Sequence, residues 1–300
     1  MNLRLRRILR FAIAPVFSLL FAPCVSAEPP GKTLIVVAHP DDEYYCAATV
    51  YRMAVQLGGS VDELIITDGE GGFRYSTLAE PYYGKSLTTE AVGRAELPAI
   101  RREEAIHAGK VLGIRMHFFL GQKDDDFTLD ADDGPQRNWN PAFITARIIS
   151  LVRTEHYKYI FSILPRSTTH GHHQAATGLA AIAIQSLPVS LRPILLGFDT
   201  DPAEFVTPSH MSRSQQWDPK YAYAFDRTAK FGFKKALSYQ IVVNWMIAEH
   251  KSQGLLQTMD NKDPKEYIWV DLASPPNAKS AASSLFRLLD ASPVHNDEFR

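Results

Sequence analysis

The feature that most constrains this chain is Leu34-Ile35-Val36-Val37-Ala38, five apolar residues in a row, three of them β-branched. So short and unbroken a run is the pattern of a strand buried on both faces, which requires helices above and below a parallel sheet. Residues 47–57 follow with helical spacing and stop at Gly58-Gly59, and Leu64-Ile65-Ile66-Thr67 gives a second buried strand ending at Asp68-Gly69. Together they predict a βαβ unit.

The alternation continues. Residues 96–112 read as a helix closed by Gly113, 117–120 as a strand, 141–154 as an amphipathic helix, 159–164 as a strand, 172–186 as a helix and 194–196 as a strand. The expected class is α/β: a Rossmann-like, mostly parallel sheet with helices on both faces. Beyond Pro202 the pattern is less regular, with a helix expected over 230–250 and a strand over 267–272. A chain of 300 residues, 45% hydrophobic, suits one domain with a sizeable core. That domain is placed at 28–275, between a leader at 1–27 and a tail at 276–300, rich in Ser, Ala and Pro, that is partly helical or mobile.

The leader has its own signature. Arg4, Arg6, Arg7 and Arg10 precede the apolar run 11–21, and Val25-Ser26-Ala27 supplies small residues suited to cleavage, the layout of a secretory signal peptide. The run is shorter than the roughly 20 residues of a spanning helix, and Pro15 and Pro23 interrupt it, so no stable membrane span is expected after cleavage near Ala27. Export to a periplasmic or secreted location is the expectation. Losing four arginines takes the formal charge from −1 to −5, which argues against nucleic-acid binding. Only Cys46 then remains, so no intramolecular disulfide can form.

In an open parallel sheet, ligands bind at the carboxyl ends of the strands. Directly after the first strand stands His39-Pro40-Asp41-Asp42-Glu43, an imidazole and three carboxylates within five residues. Adjacent carboxylates repel at a buried strand end unless a cation or proton offsets them, although Asp41 and Asp42 can also serve as helix caps. After the strand ending at Leu164 stands His170-Gly171-His172-His173. At a helix start, His170 and His173, three apart, share a face and His172 points elsewhere. His39, Asp42 and one of these histidines make two imidazoles and one carboxylate, a set that leaves a position open on zinc for water. The same set suits non-haem Fe(II), so Fe2+ stays open; zinc is preferred because the neighbouring residues suit hydrolysis.

Ala38-His39-Pro40-Asp41-Asp42-Glu43 resembles the signature of the GlcNAc-phosphatidylinositol de-N-acetylase family, PIG-L or LmbE-like deacetylases. Further segments fall in that family's order: Thr67-Asp68-Gly69, Arg101 and Glu104 before Leu112-Gly113, Leu120-Gly121 then Asp124, the 170–173 segment, and His250-Lys251-Ser252-Gln253. The resemblance spans roughly 32–253 and implies an LmbE-like deacetylase fold binding zinc. It implies zinc ligation by His39, Asp42 and His173, Asp41 as general base, and His170 as the group that stabilises or protonates the intermediate. Arg101 and Asp124 match positions that contact the sugar. The chain departs at Gly171 and His172, where the family more often has Pro and an Asp that orients the catalytic histidine.

The implied activity is zinc-dependent removal of an N-acetyl or similar N-acyl group from an amino sugar or glycoconjugate. The alternatives are a catalytically weak zinc-containing carbohydrate-binding protein, or an amidase acting on a thiol-sugar or an acylated antibiotic. Aromatic residues at Tyr75, Tyr82, Tyr83, Trp217, Tyr221 and Tyr223 offer faces on which sugar rings can stack. Neither substrate nor oligomeric state is encoded in any readable motif.

Overall fold

The computed structural model describes residues 29–201, 217–254, 256, 263–271 and 275–294, and the leader expected at 1–27 lies outside them. In chain order the strands are β1 (Thr33–Val37), β2 (Val61–Thr67), β3 (His117–Gln122), β4 (Tyr159–Ile163), β5 (Ile194–Asp199), β6 (Trp217–Asp226), β7 (Lys230–Phe231), β8 (Leu237–Ser238), β9 (Lys265–Asp271) and β10 (Ser292–Pro293). The α-helices are α1 (Ala47–Tyr51), α2 (Glu80–Tyr83), α3 (Glu90–Leu112), α4 (Asp133–Arg137), α5 (Pro141–Glu155), α6 (Gly171–Gln185), α7 (Tyr239–Glu249) and α8 (Ala278–Leu289).

The main sheet has the order β10-β6-β9-β5-β4-β1-β2-β3. Its β3-β2-β1-β4-β5 half is parallel throughout, and β9, β6 and β10 join antiparallel at the β5 side. The unbroken apolar run of β1 serves both faces: Ile35 and Val37 pack with α1, α3, α7 and α8, whereas Leu34 and Val36 pack with α5 and α6. That is why the run could not alternate with polar residues. Strand order reverses between β1 and β4, so their carboxyl ends open a crevice at the middle of the sheet.

Three segments differ from the sequence expectation. Residues 230–238 are not part of the α-helix: β7 and β8 pair as a short hairpin around a one-turn 3-10 segment, with Gly232, Lys234 and Lys235 at positive φ, and α7 starts only at Tyr239. Strand β6 was not foreseen. Nor does residue 275 mark an end of packing, because α8 buries Ala282, Leu285, Phe286 and Leu289 in the core and β10 extends the sheet. Among the described residues no helix is long and apolar enough to cross a membrane.

Candidate metal centre and active site

The turn after β1 brings the first residues together. Asp42 faces backwards: its Oδ2 accepts from the backbone N–H of Ala38 (3.0 Å) and His39 (2.8 Å). The short helix that follows takes no side-chain cap from Asp41, so neither carboxylate is used as a cap. From the start of α6, His173 Nε2 comes to 3.0 Å from Asp42 Oδ1 and 3.1 Å from His39 Nδ1, and His39 Nδ1 lies 3.5 Å from Asp42 Oδ2. Donors on a tetrahedral ion with bonds of about 2.0–2.1 Å stand roughly 3.3 Å apart; one donor atom from each of His39, Asp42 and His173 can be chosen so that all three lie within 4.8 Å of one another, a triangle that can close on a zinc-type ion. The charges call for one too. Although burial works against its protonation, Asp42 and Asp124 push His39 up to about 9, and against burial His173 and His39 hold Asp42 well below the carboxylate range. The buried carboxylates draw positive charge to this point.

Asp41 stands beside the triangle with φ 139°, a conformation rare outside glycine. Burial, then the neighbouring Asp42, raises it to about 7, with His250, His39 and Arg101 pulling the other way. Two buried side chains hold its flanks: Gln253 Nε2 donates to Pro40 O at 2.8 Å, and His250 Nε2 meets Glu43 Oε1 at 2.5 Å. Both come from the late segment 250–253.

His170 is the N-cap of α6, its Nδ1 accepting from the backbone N–H of His172 at 3.0 Å. That bond places the hydrogen of the neutral ring on Nε2. Burial, then the imidazoles of His39, His173 and His172, lowers His170 to about 2, Asp124 opposing. His172 does not point elsewhere, as the helical spacing suggested. It is buried, with Nδ1 3.3 Å from both His39 Nε2 and Asp124 Oδ1. The reason is local: His170 lies before the helix at φ −46°, ψ 133°, so the spacing of a helix does not apply to it. Gly171 is dictated by packing, since a Cβ there would overlap the carbonyl oxygen of Asp130.

A cavity of about 370 Å3, within the range of small-ligand sites, is lined by His39, Asp41, Asp42, His170, His173 and by Arg101 and Asp124. Arg101 is buried, and its guanidinium donates to the carbonyls of Gly69, Gly72 (3.2 Å) and Ser252 (3.4 Å). Asp124 is also buried, its Oδ2 accepting from Gly71 N–H at 3.2 Å. Of the aromatic residues singled out for stacking, Tyr75 lines the cavity, whereas Trp217 is a core residue and Tyr223 stacks on Phe286 at 3.9 Å. The Tyr221 side chain lies outside the described residues. Phe127, 67% exposed and edge-on to His170 at 4.9 Å, carries no signal in the sequence, where it is a single aromatic residue among Asp124, Asp125, Asp126 and Asp130.

Residues 34–184 match the family described as "PIG-L: GlcNAc-PI de-N-acetylase", half of the chain. The chain belongs to this family. As a PIG-L protein it is an enzyme, an N-deacetylase hydrolysing a carbon–nitrogen bond. A probable N-acetyl-alpha-D-glucosaminyl L-malate deacetylase 2 from Bacillus anthracis is 25% identical over 190 residues, covering 62% of this chain and 75% of that protein. Among solved structures, a triple mutant of a deacetylase from the teicoplanin biosynthetic pathway aligns with TM-score 0.53 and 14% identity over 80% of this chain and 97% of its own. The A40926 pseudoaglycone deacetylase Dbv21 aligns with TM-score 0.50 and 15% identity over 82% and 99%. These two likenesses show that the PIG-L fold extends well beyond the matched segment.

Proposed function

We propose that this PIG-L protein removes an N-acetyl or similar N-acyl group from an amino sugar or glycoconjugate, with zinc held by His39, Asp42 and His173. The observation that carries the reading is the convergence of those three donors on the floor of a cavity that Asp41 also lines. A zinc ion there would supply Lewis-acid polarisation of the amide carbonyl and bring the pKa of water down to about 7. Asp41 is assigned as the general base: a carboxylate raised toward neutrality is matched to taking a proton from water near pH 7. His170, neutral and with its hydrogen on Nε2, suits hydrogen bonding to the developing oxyanion better than proton donation. Arg101 and Asp124 complete the proposed substrate wall, with Tyr75 and Phe127 at its rim.

The test is direct. Zinc-loaded protein is expected to release acetate and free amine from members of a panel of N-acylated amino sugars. Asp41→Asn is expected to keep the metal and lose about 10²–10⁴-fold in kcat, while His173→Ala loses the ion of this triangle together with turnover. If fully loaded protein releases neither product and His173→Ala leaves metal content unchanged, the reading fails. Sugar binding without turnover would instead indicate a binding protein, and turnover confined to thiol-sugar or antibiotic amides would move the substrate class. Export is part of the proposal: the mature chain is expected outside the cytoplasm with its N-terminus just after Ala27, a position fixed by mass spectrometry.

A further inference from the structure

Behind the proposed zinc triangle lies a second one. His39 Nε2, His172 Nδ1 and Asp124 Oδ1 stand 3.3, 3.3 and 3.8 Å apart, nearly as tight as the first set. The His170 ring closes the same cluster, its centroid 4.6 Å from that of His172 and 5.0 Å from that of His39. Asp124 is 5% exposed. Its Oδ2 is tied to Gly71, while Oδ1, aimed into the triangle, is buried without a hydrogen bond.

Hydrogen counting shows why this triangle is not at ease by itself. When His39 gives Nδ1 to an ion, its Nε2 carries the ring's hydrogen, and the acceptor in reach is His172 Nδ1. His172 Nδ1 then holds no hydrogen and turns a lone pair toward the Asp124 carboxylate. If His172 Nδ1 holds the hydrogen instead, it serves Asp124 but meets the N–H of His39. With a hydrogen on each nitrogen, Asp124 Oδ1 faces His172 Nδ1 at 3.3 Å, but His39 Nε2 stands 3.8 Å away, beyond hydrogen-bond reach, and the two N–H groups crowd each other. A divalent cation accepts all three lone pairs at once, the hydrogen on His39 Nε2 leaving to solvent as the cation takes its place.

We propose that His39, His172 and Asp124 form a second divalent-cation site, joined to the first through the His39 ring. Two imidazole nitrogens and one carboxylate oxygen select a zinc-class ion over calcium or magnesium. His172 supplies a donor that belongs to the second triangle and not to the first. An ion there takes the carboxylate oxygen of Asp124 that the substrate wall would otherwise present. The proposal rests on the first triangle as a metal site, not on deacetylation.

The experiment counts metal, with no substrate present. Metal-stripped full-length protein is dialysed against increasing free Zn2+, and bound zinc is measured by mass spectrometry of the element. The wild-type chain is expected to saturate at two ions. Asp124→Asn and His172→Gln are each expected to saturate at one, with circular dichroism verifying the fold. His173→Ala is expected to keep the ion at the second triangle while losing the first. Saturation of the wild type at a single ion overturns the proposal without recourse to any variant. Two ions that persist in both Asp124→Asn and His172→Gln overturn it as well, since the second ion then lies elsewhere. If His173→Ala alone leaves the count unchanged, the assignment of the first triangle fails rather than that of the second.

Discussion

Asp41 is held in a backbone conformation that a residue with a side chain adopts only under constraint, at a cost of about 1–3 kcal/mol. The constraint is visible in Gln253 on Pro40 and His250 on Glu43. Gln253→Leu is therefore expected to lower kcat by about tenfold or more, since misplacing a catalytic group by an ångström has costs of that order. KM and bound zinc are expected to change little, as steady-state kinetics and metal analysis would show. His250 also makes stability depend on pH. Burial disfavours its charge, but Glu43 and then Asp41 raise it to about 9, above the unfolded value of about 6.5. Its contribution is complete below pH about 6.5 and is lost as pH rises through about 9, on the order of a few kcal/mol. Urea midpoints of the metal-free chain are expected to fall across that window and to flatten in His250→Gln. At this scale the first motif was legible because its five residues are contiguous and their roles follow from one turn. The orientation of His172 was not, because it depends on Asp124, 48 positions earlier, and on where the first turn of α6 begins.

The antiparallel strands are more than a border to the sheet. From β9, Glu266 reaches the first turn of α1: Oε1 accepts from Ala48 N–H at 2.7 Å, and Oε2 accepts from Thr49 N–H at 2.9 Å and Thr49 Oγ1 at 2.6 Å. Arg227, just after β6, donates to the same carboxylate at 3.0 Å and to Tyr44 O at 2.5 Å. One buried ion pair thus anchors the short helical segment that follows Asp42. Glu266→Ala is expected to cost about 3–5 kcal/mol by stranding Arg227, read as a lowered thermal midpoint with and without zinc. The parallel elements were legible because both-face burial forces uninterrupted apolar runs. Residues 230–238 were misread because Phe231, Phe233 and Leu237 imitate the apolar stripe of α7, while Gly232 and the left-handed lysines break the helix. Strand β6 was overlooked because Pro219 and a mixed polar sequence hide its pairing, which is supplied by β9 rather than by its own pattern.

For the molecule as a whole, the sheet's reversal between β1 and β4 gathers donors from positions 39, 42 and 173, so an ion bound there links the two halves of the parallel sheet. Zinc at a hundred times its dissociation constant is expected to add about 2.7 kcal/mol to global stability. Differential scanning calorimetry would show this contribution as a larger zinc-dependent shift in the wild type than in His173→Ala, which keeps only the ion at the second triangle. The fold class could be inferred from alternation alone, and the place of the site followed from the rule that ligands sit at strand carboxyl ends; the closing of the sheet by β6, β9 and β10 could not be, since it rests on contacts between distant segments. That closure bears on solubility. An open strand edge is a template on which another chain can assemble. Here β6 is covered by a two-residue strand whose second member, Pro293, has no N–H to offer a neighbour, while Val294 N–H bonds Ala222 O at 2.9 Å. Truncation after Asp290 uncovers that edge, and the shortened protein is expected to elute in size-exclusion chromatography as concentration-dependent aggregates, even with its metal centre intact.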